Sequence, residues 1–180
     1  MKIISDDVFF TYGMDHLTHY FRPATGDEIT VFDSGHQHVY FFNATQMRKN
    51  KINDPFSALV YCRNLNVPRD ASVAITLQHL KKSNGIAGTV TPLTEREERI
   101  LRSLCQETSV TSLLKCYGIS SKTFSTHKRN GLRKLGIKNT VMLYSLLEAW
   151  KGKWGIIFPE YGRQSLQRRQ RRRMSVLPGV

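Results

Sequence analysis

Cysteine is scarce in this 180-residue chain, and its pattern excludes several classes of protein. The three cysteines are Cys62, Cys105 and Cys116, and no two of them have the Cys-x-x-Cys spacing that is typical of metal and redox sites. Their odd number, among apolar neighbours, excludes a disulfide scaffold. We therefore expect reduced and mostly buried thiols.

Long apolar runs are also absent. Asp6 and Asp7 interrupt the first apolar stretch, which argues against a signal peptide. No apolar run approaches the roughly 20 residues that span a bilayer. The expectation is a soluble, cytoplasmic protein without a membrane partner.

Acidic side chains are outnumbered, with 14 Asp and Glu against 27 Lys and Arg, and the net charge is +13. A surface this basic attracts polyanions, of which nucleic acid is the first candidate and an anionic membrane the second. The excess is uneven. Residues 1–91 carry 9 basic and 8 acidic side chains, residues 92–150 carry 10 and 5, and residues 151–180 carry 8 and 1. The polyanion should therefore meet the second half of the chain.

Signs of catalysis are lacking too. No Ser/His/Asp or Cys/His order stands out, and there is no glycine-rich phosphate loop. The pairs His16/His19 and His36/His38 lie on different segments and have no cysteine at a matching spacing, so surface or half-buried histidines are favoured over a zinc site. The sequence thus indicates neither an enzyme nor a cofactor.

The first 82 residues predict a small α/β domain, and the residues after them, 83–91, a linker. Periodicity, β-branched and aromatic runs, and turn residues place the elements of the domain. They predict strands at 2–5, 28–33 and 39–42, helices at 8–21 and 55–65, a loop at 46–54, and an ambiguous segment at 71–80.

Sharper signals begin at residue 92. Thr94 and Glu97 have the spacing of a capping box, which opens a helix. Gly118 is placed to end a second helix, and Ser120 or Ser121 to cap a third. The whole pattern predicts four helices, at 94–105, 111–117, 122–135 and 140–150.

The second and third of these helices have the spacing of a helix-turn-helix. The third places Phe124, Leu132 and Leu135 on an inner face, and it carries five Lys or Arg and no acid, as the groove of a DNA duplex requires. A solvated basic helix in a bundle is the alternative, which the capping box and the fourth helix disfavour. Gly131 inside this helix is expected to make room for a bulkier neighbour.

Three motifs in this order resemble the LuxR/NarL-type DNA-binding domain. They read PLTERE at 92–97, ISSKTFSTH at 119–127 and LGIKN at 135–139. The resemblance implies a transcriptional regulator whose third helix enters the major groove and whose fourth helix pairs with its twin in a dimer. The implied base contacts are Ser125, Thr126 and Arg129, the implied phosphate contacts are Lys122, Lys128, Arg133 and Lys138, and the implied dimer contacts are Val141, Met142, Ser145 and Leu146.

Residues 1–43 resemble the start of a response-regulator receiver domain, with an apolar strand, the pair Asp6 and Asp7, and then a helix. In such a domain the acidic pair helps to hold Mg²⁺, and an aspartate at the end of the third strand takes the phosphoryl group. Here that strand ends in Asn43, whose amide cannot form an acyl phosphate, and Asp54 follows a polar stretch. The resemblance implies a truncated, degenerate receiver that is not phosphorylated. An unrelated α/β sensory or dimerisation module is the alternative.

The expected fold class is α+β with two domains, a receiver-like domain at 1–82 and a helix-turn-helix domain at 92–151. The remainder, 152–180, is expected to be a basic, disordered tail, with an arginine run at 168–173. The expected partners are double-stranded DNA, on the nucleoid, and a second regulator in a homodimer or heterodimer. Two alternatives stay open: an auxiliary partner of another regulator with little DNA contact of its own, and an RNA-binding protein that uses the arginine tail.

Overall fold

The computed structural model describes residues 1–19, 29–35, 37–82, 92–106 and 109–160. They form an α/β domain followed by a helical domain, which is the expected α+β layout. The strands are β1 (Lys2–Ile4), β2 (Ile29–Asp33), β3 (His38–Asn43) and β4 (Asn66–Pro68). The helices are α1 (Val8–His19), α2 (Ala44–Lys49), α3 (Pro55–Tyr61), α4 (Val73–Lys82), α5 (Glu95–Leu104), α6 (Val110–Tyr117), α7 (Ser121–Lys134) and α8 (Thr140–Ile157), with a 3-10 turn at Cys62–Asn64.

The strands form one sheet in the order β1-β2-β3-β4. β1 and β2 are parallel, with Ile3 opposite Val31, because α1 carries the chain back between them. β2 and β3 form an antiparallel hairpin in which Phe32 lies opposite Tyr40, and β4 pairs antiparallel with β3. The opening β–α–β unit agrees with the receiver-like start. The hairpin departs from the doubly wound parallel sheet, in which every strand runs the same way.

Both faces of the sheet are covered, so β2 and β3 are almost wholly buried. Successive residues of a strand point to opposite faces. Val31 and Phe41 belong to one apolar cluster, together with Met14 of α1. Phe32 and Phe42 belong to the other, which also contains residues of α2, α3 and all four helices of the second domain. The sheet therefore separates α1 and α4 from the helical domain.

Side-chain caps open the helices of the second domain where the sequence predicts them. The capping box of α5 is confirmed: the Glu97 amide donates to Thr94 Oγ1 at 3.3 Å, and the Thr94 amide donates to Glu97 Oε2 at 2.8 Å. Asn139 caps α8 by accepting a hydrogen bond from the Met142 amide at 2.8 Å. Each cap satisfies backbone donors that a helix start leaves without a partner.

The two domains share one apolar core. Trp150 of α8 is fully buried, and its ring centroid lies 4.7 Å from that of Phe32 and 5.4 Å from that of Phe42. Arg102 of α5 also crosses the boundary, with Nη1 3.0 Å from Asp54 Oδ1 and its guanidinium over the ring of Phe56. The helical domain is thus packed against the sheet rather than tethered beside it.

The predicted loop at 46–54 is wrong over its first half, because α2 occupies residues 44–49. Asn43 caps this helix by accepting from the Gln46 amide at 2.9 Å, and Met47 is buried beneath it. One buried residue among polar ones gave too little periodicity to reveal the helix. The ambiguous segment after residue 71 is helical, as α4.

The predicted start of the disordered tail at residue 152 is also wrong. α8 continues to Ile157, and both Ile157 and Phe158 are buried in the core. Gly152 and Gly155 lie within the last turns of α8, and packing of the apolar residues between and beyond them outweighs the low helix propensity of glycine. The arginine run at 168–173 and the predicted linker at 83–91 lie outside the described residues.

The cysteines are only partly as expected. Cys62 is buried, Cys105 is half-buried and Cys116 is exposed, and none of them forms a disulfide. Burial raises the pKa of Cys62 and raises that of Cys105 to about 11. In the described ranges, no helix is both long and apolar enough to cross a membrane.

Candidate nucleic-acid interface

The helix-turn-helix consists of α6, a tight turn and α7. Gly118 ends α6 in the left-handed conformation, with φ 59° and ψ 35°, which glycine adopts without steric cost. Ser120 then caps α7 by accepting from the Thr123 amide at 3.1 Å. This turn sets the angle between α6 and α7.

The inner face of α7 is the one that the sequence predicts, with Phe124, Leu132 and Leu135 all buried. Gly131 is buried on this face against α5. A Cβ placed there would lie 2.9 Å from Leu101 Cδ1 and 3.3 Å from its Cγ. The glycine therefore makes room for Leu101, as expected.

Lys134, at the end of α7, points into the domain. Its Nζ lies 2.7 Å from Glu97 Oε2 and 3.1 Å from the carbonyl oxygen of Pro92. Glu97 is buried, which raises its pKa, but hydrogen bonds from Lys134 and Thr94 outweigh burial and lower the pKa overall. The one basic residue of α7 that faces inward is thus neutralised by a partner of its own.

The outer face of α7 is basic and open. Lys122, Thr126, Arg129 and Arg133 are all exposed, and their spacing of four, three and four residues aligns them in one stripe. No ion pair in the described part of the chain engages the three cations of this stripe. We call these four residues the outer stripe of α7.

Two small hydroxyl residues lie in the N-terminal half of α7. Thr126 Oγ1 donates to the carbonyl oxygen of Lys122 at 3.0 Å. The Thr126 hydroxyl proton is therefore already used in a hydrogen bond, and the oxygen can act towards other groups as an acceptor. Ser125 is half-buried next to the stripe. All three residues predicted to contact bases, Ser125, Thr126 and Arg129, thus lie on or beside one accessible face.

The other predicted phosphate contacts flank this face. Lys128 is half-buried on α7, and Lys138 is exposed in the turn between α7 and α8. His38 of β3 lines a cleft together with Lys138, and burial and the charge of Lys138 both lower the pKa of His38. This cleft has a volume of about 520 Å³ and is also lined by Arg69.

The predicted dimer contacts on α8 divide into two groups. Val141 is exposed, and Met142 and Ser145 are half-buried, so these three residues form an accessible strip. Leu146 is wrong as a dimer contact, because its side chain is only 1% exposed and lies in the shared core. The core that contains Leu146 includes residues of both domains, and the sequence of α8 alone does not reveal this.

The acidic pair lies at the edge of the sheet where β1 ends. Asp7 caps α1 by accepting from the amides of Phe9 and Phe10, at 2.9 and 3.1 Å. Hydrogen bonds from the Phe10 amide and from Arg69 lower its pKa. Asp6 pairs with Lys153 of α8. Both carboxylates are therefore engaged by groups of this chain.

Asp33 is a member of this edge that the sequence did not single out. It is buried at the end of β2 and accepts from Ser5 Oγ at 2.7 Å and from the Gly35 amide at 2.9 Å. Arg69 Nη2 lies 3.2 Å from Asp33 Oδ2 and also contacts Asp7. Asp33 ends a predicted strand, as Asp6 and Asp7 follow one. Parallel pairing of β1 and β2 brings the carboxyl ends of both strands to one edge of the sheet, and this places Asp33 beside the acidic pair.

The two residues considered as phosphorylation sites lie elsewhere. Asn43 ends β3 opposite Ile29, at the far edge of the sheet from Asp7, because β3 runs antiparallel. Asp54 caps α3, accepts from the Ser57 amide at 3.0 Å, and pairs with Arg102. Within the described ranges, no group of three or more His, Cys, Asp or Glu side chains is arranged to hold a metal ion.

Comparison with known proteins identifies the helical domain. Residues 91–147 match the family model described as "Bacterial regulatory proteins, luxR family". The chain is also similar to the transcriptional regulatory protein UhpA of Salmonella typhimurium (strain LT2), with 37% identity over 65 residues, or 36% of this chain. It covers 33% of the length of that relative. No solved structure matches. The helical domain is therefore similar to the luxR-family domain over residues 91–147, and the chain spans about one third of the length of the relative that it matches.

Proposed function

We propose that this regulator reads a two-fold DNA site as a dimer, with α7 of each copy in the major groove. The observation that carries the proposal is the outer stripe of α7, which is exposed and cationic and has no ion pair among the described residues, on a helix without acidic residues. Lys134, the cation on the opposite side, is already paired. A helix with this distribution of charge suits the phosphate-lined groove.

Base recognition is assigned to Arg129, Ser125 and Thr126. The Arg129 guanidinium can donate two parallel hydrogen bonds to guanine O6 and N7. Because the Thr126 proton is held by the Lys122 carbonyl, Thr126 acts as an acceptor, and its natural partners are the amino groups of adenine or cytosine. Ser125 is expected to reach the same or the neighbouring base pair.

Phosphate contacts are assigned to Lys122, Lys128, Arg133 and Lys138. Lys122 and Arg133 lie near the two ends of α7, and Lys138 follows it in the next turn. Cations at both ends of a helix in the groove can reach both backbones of the duplex. These contacts fix the register of the helix and make binding depend on salt.

Dimerisation on DNA is assigned to the accessible strip Val141, Met142 and Ser145 of α8. Val141 is a large exposed hydrophobic residue, and it lies at the start of α8 beside the turn that follows α7. Pairing at this strip would bring two copies of α7 to the same side of a dimer, as successive major grooves on one face of the duplex require.

Control by phosphorylation is not part of the proposed function. Asp6, Asp7 and Asp33 form charge-assisted contacts with Lys153 and Arg69, and Asp33 also accepts from Ser5. A phosphoryl transfer to any of them would first have to break these contacts. We expect no added phosphoryl group when the protein is incubated with a small-molecule phosphodonor and its intact mass is measured. A stoichiometric, acid-labile adduct would overturn this part of the proposal.

The test of DNA reading begins with selection of the preferred site from random DNA by the purified full chain. Binding of Arg129→Ala to this site and to its single-base variants is then measured across a salt series. The variant is expected to lose about 1–3 kcal/mol, and its discrimination at one base position, because bidentate guanine contacts are worth this much. Lys122→Ala should weaken binding to all sequences alike and lower the salt slope by about one.

Arg99→Ala is the matched control, since Arg99 is an exposed arginine of α5 that pairs with Glu95 rather than facing the groove. Its affinity and selectivity should stay at the wild-type values. If Arg129→Ala binds the selected site as tightly and as selectively as Arg99→Ala, α7 is not the reading helix.

A further inference from the structure

Helix α1 is apolar on two sides, although the sheet covers only one. Phe10, Met14 and Leu17 face the sheet and pack in its second apolar cluster. On the other side Val8 is 77% exposed and Phe9 is 89% exposed. A helix that is apolar all round is typically covered all round. Among the residues that the structure describes, none covers the outer side of α1 at Val8 and Phe9 in this way.

The exposed surface extends along α1 and onto α4. Tyr12 is 68% exposed one turn after Phe9. Val73 and Ile75, at the start of α4, are about half exposed. Both helices cover the same face of the sheet, and Gly13 and Val73 line a single cavity of about 310 Å³ between them. We call Val8, Phe9, Tyr12 and Val73 the α1–α4 face. Ile75 lies about 200° further round α4 and is not part of it.

This face is not suited to nucleic acid. Helix α1 contains no Lys or Arg, and Asp15 is its single acidic residue. The α1–α4 face also lies on the side of the sheet that faces away from Trp150 and the helical domain. Asp15 follows Tyr12 by one turn, so the face is apolar and aromatic around Phe9 with a carboxylate at one end, and an aromatic centre with polar groups around it is typical of a protein–protein interface.

We propose that the α1–α4 face binds the same face of a second copy of this chain. Aromatic side chains bury about 150–250 Å² each when fully covered, so the exposed parts of Phe9 and Tyr12, with Val8 and Val73, supply about half of the roughly 800 Å² per partner of a stable interface. The charge distribution favours a contact through the first half of the chain. Residues 1–91 carry 9 basic and 8 acidic side chains, although the whole chain has a net charge of +13. Two copies approach each other here with the least repulsion.

This inference deepens the proposed function, because it adds a contact between copies that exists before DNA is bound. It is distinct from the strip Val141, Met142 and Ser145, which belongs to α8 on the other side of the sheet. Each chain therefore has two surfaces for a second copy. A dimer formed at the α1–α4 face leaves both copies of α7 free to read DNA.

The test compares the sedimentation of the full chain with that of a double variant, Phe9→Glu with Tyr12→Glu, between about 1 and 100 µM. Wild type is expected to be dimeric, and the double variant to be monomeric or at least tenfold weaker, because burying two carboxylates in an apolar contact is unfavourable. Glutamate is well tolerated in the first turns of a helix. The far-UV circular dichroism and melting temperature of the variant should therefore match those of wild type.

Val141→Glu is the matched control, because it places the same charge on the other candidate surface. It should remain dimeric in solution. If wild type is monomeric throughout the range, the inference is overturned. The same holds if Val141→Glu is monomeric while the double variant stays dimeric, since α8 is then the solution contact. It is also overturned if wild type does not dimerise but floats with anionic lipid vesicles through Phe9 and Tyr12.

A second measurement distinguishes this inference from the proposed function. The double variant should still bind a DNA half-site with the selectivity of wild type, because α7 is unchanged, and should lose tightness only on a full two-fold site. If Arg129→Ala shows that α7 does not read DNA while the dimer at the α1–α4 face persists, the proposed function fails and the inference stands. If the double variant stays dimeric while Arg129→Ala loses selectivity, the inference fails and the proposed function stands.

Discussion

Lys134 and Glu97 form an internal ion pair, with Nζ 2.7 Å from Oε2, that joins the end of α7 to the start of α5. The same Glu97 oxygen accepts the hydrogen bond from the Thr94 amide that closes the capping box. The cap of one helix and the orientation of another therefore depend on a single carboxylate, which is 4% exposed. The pair holds α7 against α5 without contributing a cation to the outer stripe of α7.

Lys134→Met should destabilise the fold by about 2 kcal/mol, because it leaves the Glu97 charge buried without its counter-ion. Urea unfolding followed by circular dichroism measures the loss. Lys128→Met is the control, since Lys128 belongs to the same helix but makes no ion pair within the described residues, and its effect should be below about 0.5 kcal/mol. Equal effects of the two variants would contradict a special role for the pair.

Gly131→Ala is expected to destabilise the protein by about 1 kcal/mol. Alanine favours a helix by about 0.5–1 kcal/mol, but overpacking a core costs about 1–3 kcal/mol, and the added Cβ would lie 2.9 Å from Leu101 Cδ1. Leu101 is itself fully buried and has little room to move. Thermal unfolding gives the sign of the change.

Gly152→Ala provides the contrast to Gly131→Ala, because a Cβ at this position in α8 meets no atom within 4 Å. It should stabilise the protein by up to about 1 kcal/mol through helix propensity alone. A stabilising Gly131→Ala would show that α5 and α7 adjust to each other more easily than their contact indicates.

The contact of Asp54 with Arg102 predicts a pH dependence. Burial alone would raise the pKa of Asp54, but hydrogen bonds from Ser57 and the charge of Arg102 lower it below its ordinary value of 3.8. A carboxyl group with a lowered pKa in the folded state stabilises the fold above its ordinary pKa, and this stabilisation is lost as the pH falls through the folded-state pKa. The contribution should thus be complete at pH 7 and vanish in acid.

Asp54→Asn tests this dependence, because asparagine caps a helix as well as aspartate but carries no charge. At pH 7 the variant should be less stable by about 0.5–1 kcal/mol, a value that allows for the partial exposure of the pair. The difference from wild type should shrink as the pH falls below 3.8. Asp70→Asn, at an exposed aspartate without an ion pair in the described ranges, should show no such convergence.

The helix-turn-helix was predictable because its signals are local. The capping box at Thr94, the C-terminal glycine at 118 and the serine cap at 120 each involve residues within one helical turn of their partners. Periodicity likewise predicts the inner face of α7 from Phe124, Leu132 and Leu135, which are all buried. The boundaries of α6 and α7 accordingly differ from the predicted ones by a single residue.

The features that the sequence did not reveal depend on distant partners. The antiparallel course of β3 is fixed by its hairpin with β2, and Asn43 therefore lies at the opposite edge of the sheet from Asp7. The length of α8 depends on the aromatic residues of the sheet that receive its second half. Leu146 shows the same dependence, because no pattern within α8 distinguishes packing on a second copy from packing in the core of the same chain, where Leu146 lies.

Trp150→Ala should destabilise both domains together, since this ring fills the core that they share. Replacing a buried aromatic residue by alanine typically costs about 3–5 kcal/mol, and Trp150 contacts Phe32 and Tyr40 of the sheet from within α8. Hydrogen exchange should show the same loss of protection in β3 and in α5. Trp154→Ala, at a half-buried residue that packs on Phe158, should cost less. Protection lost in only one domain would show that the two domains unfold independently despite their common core.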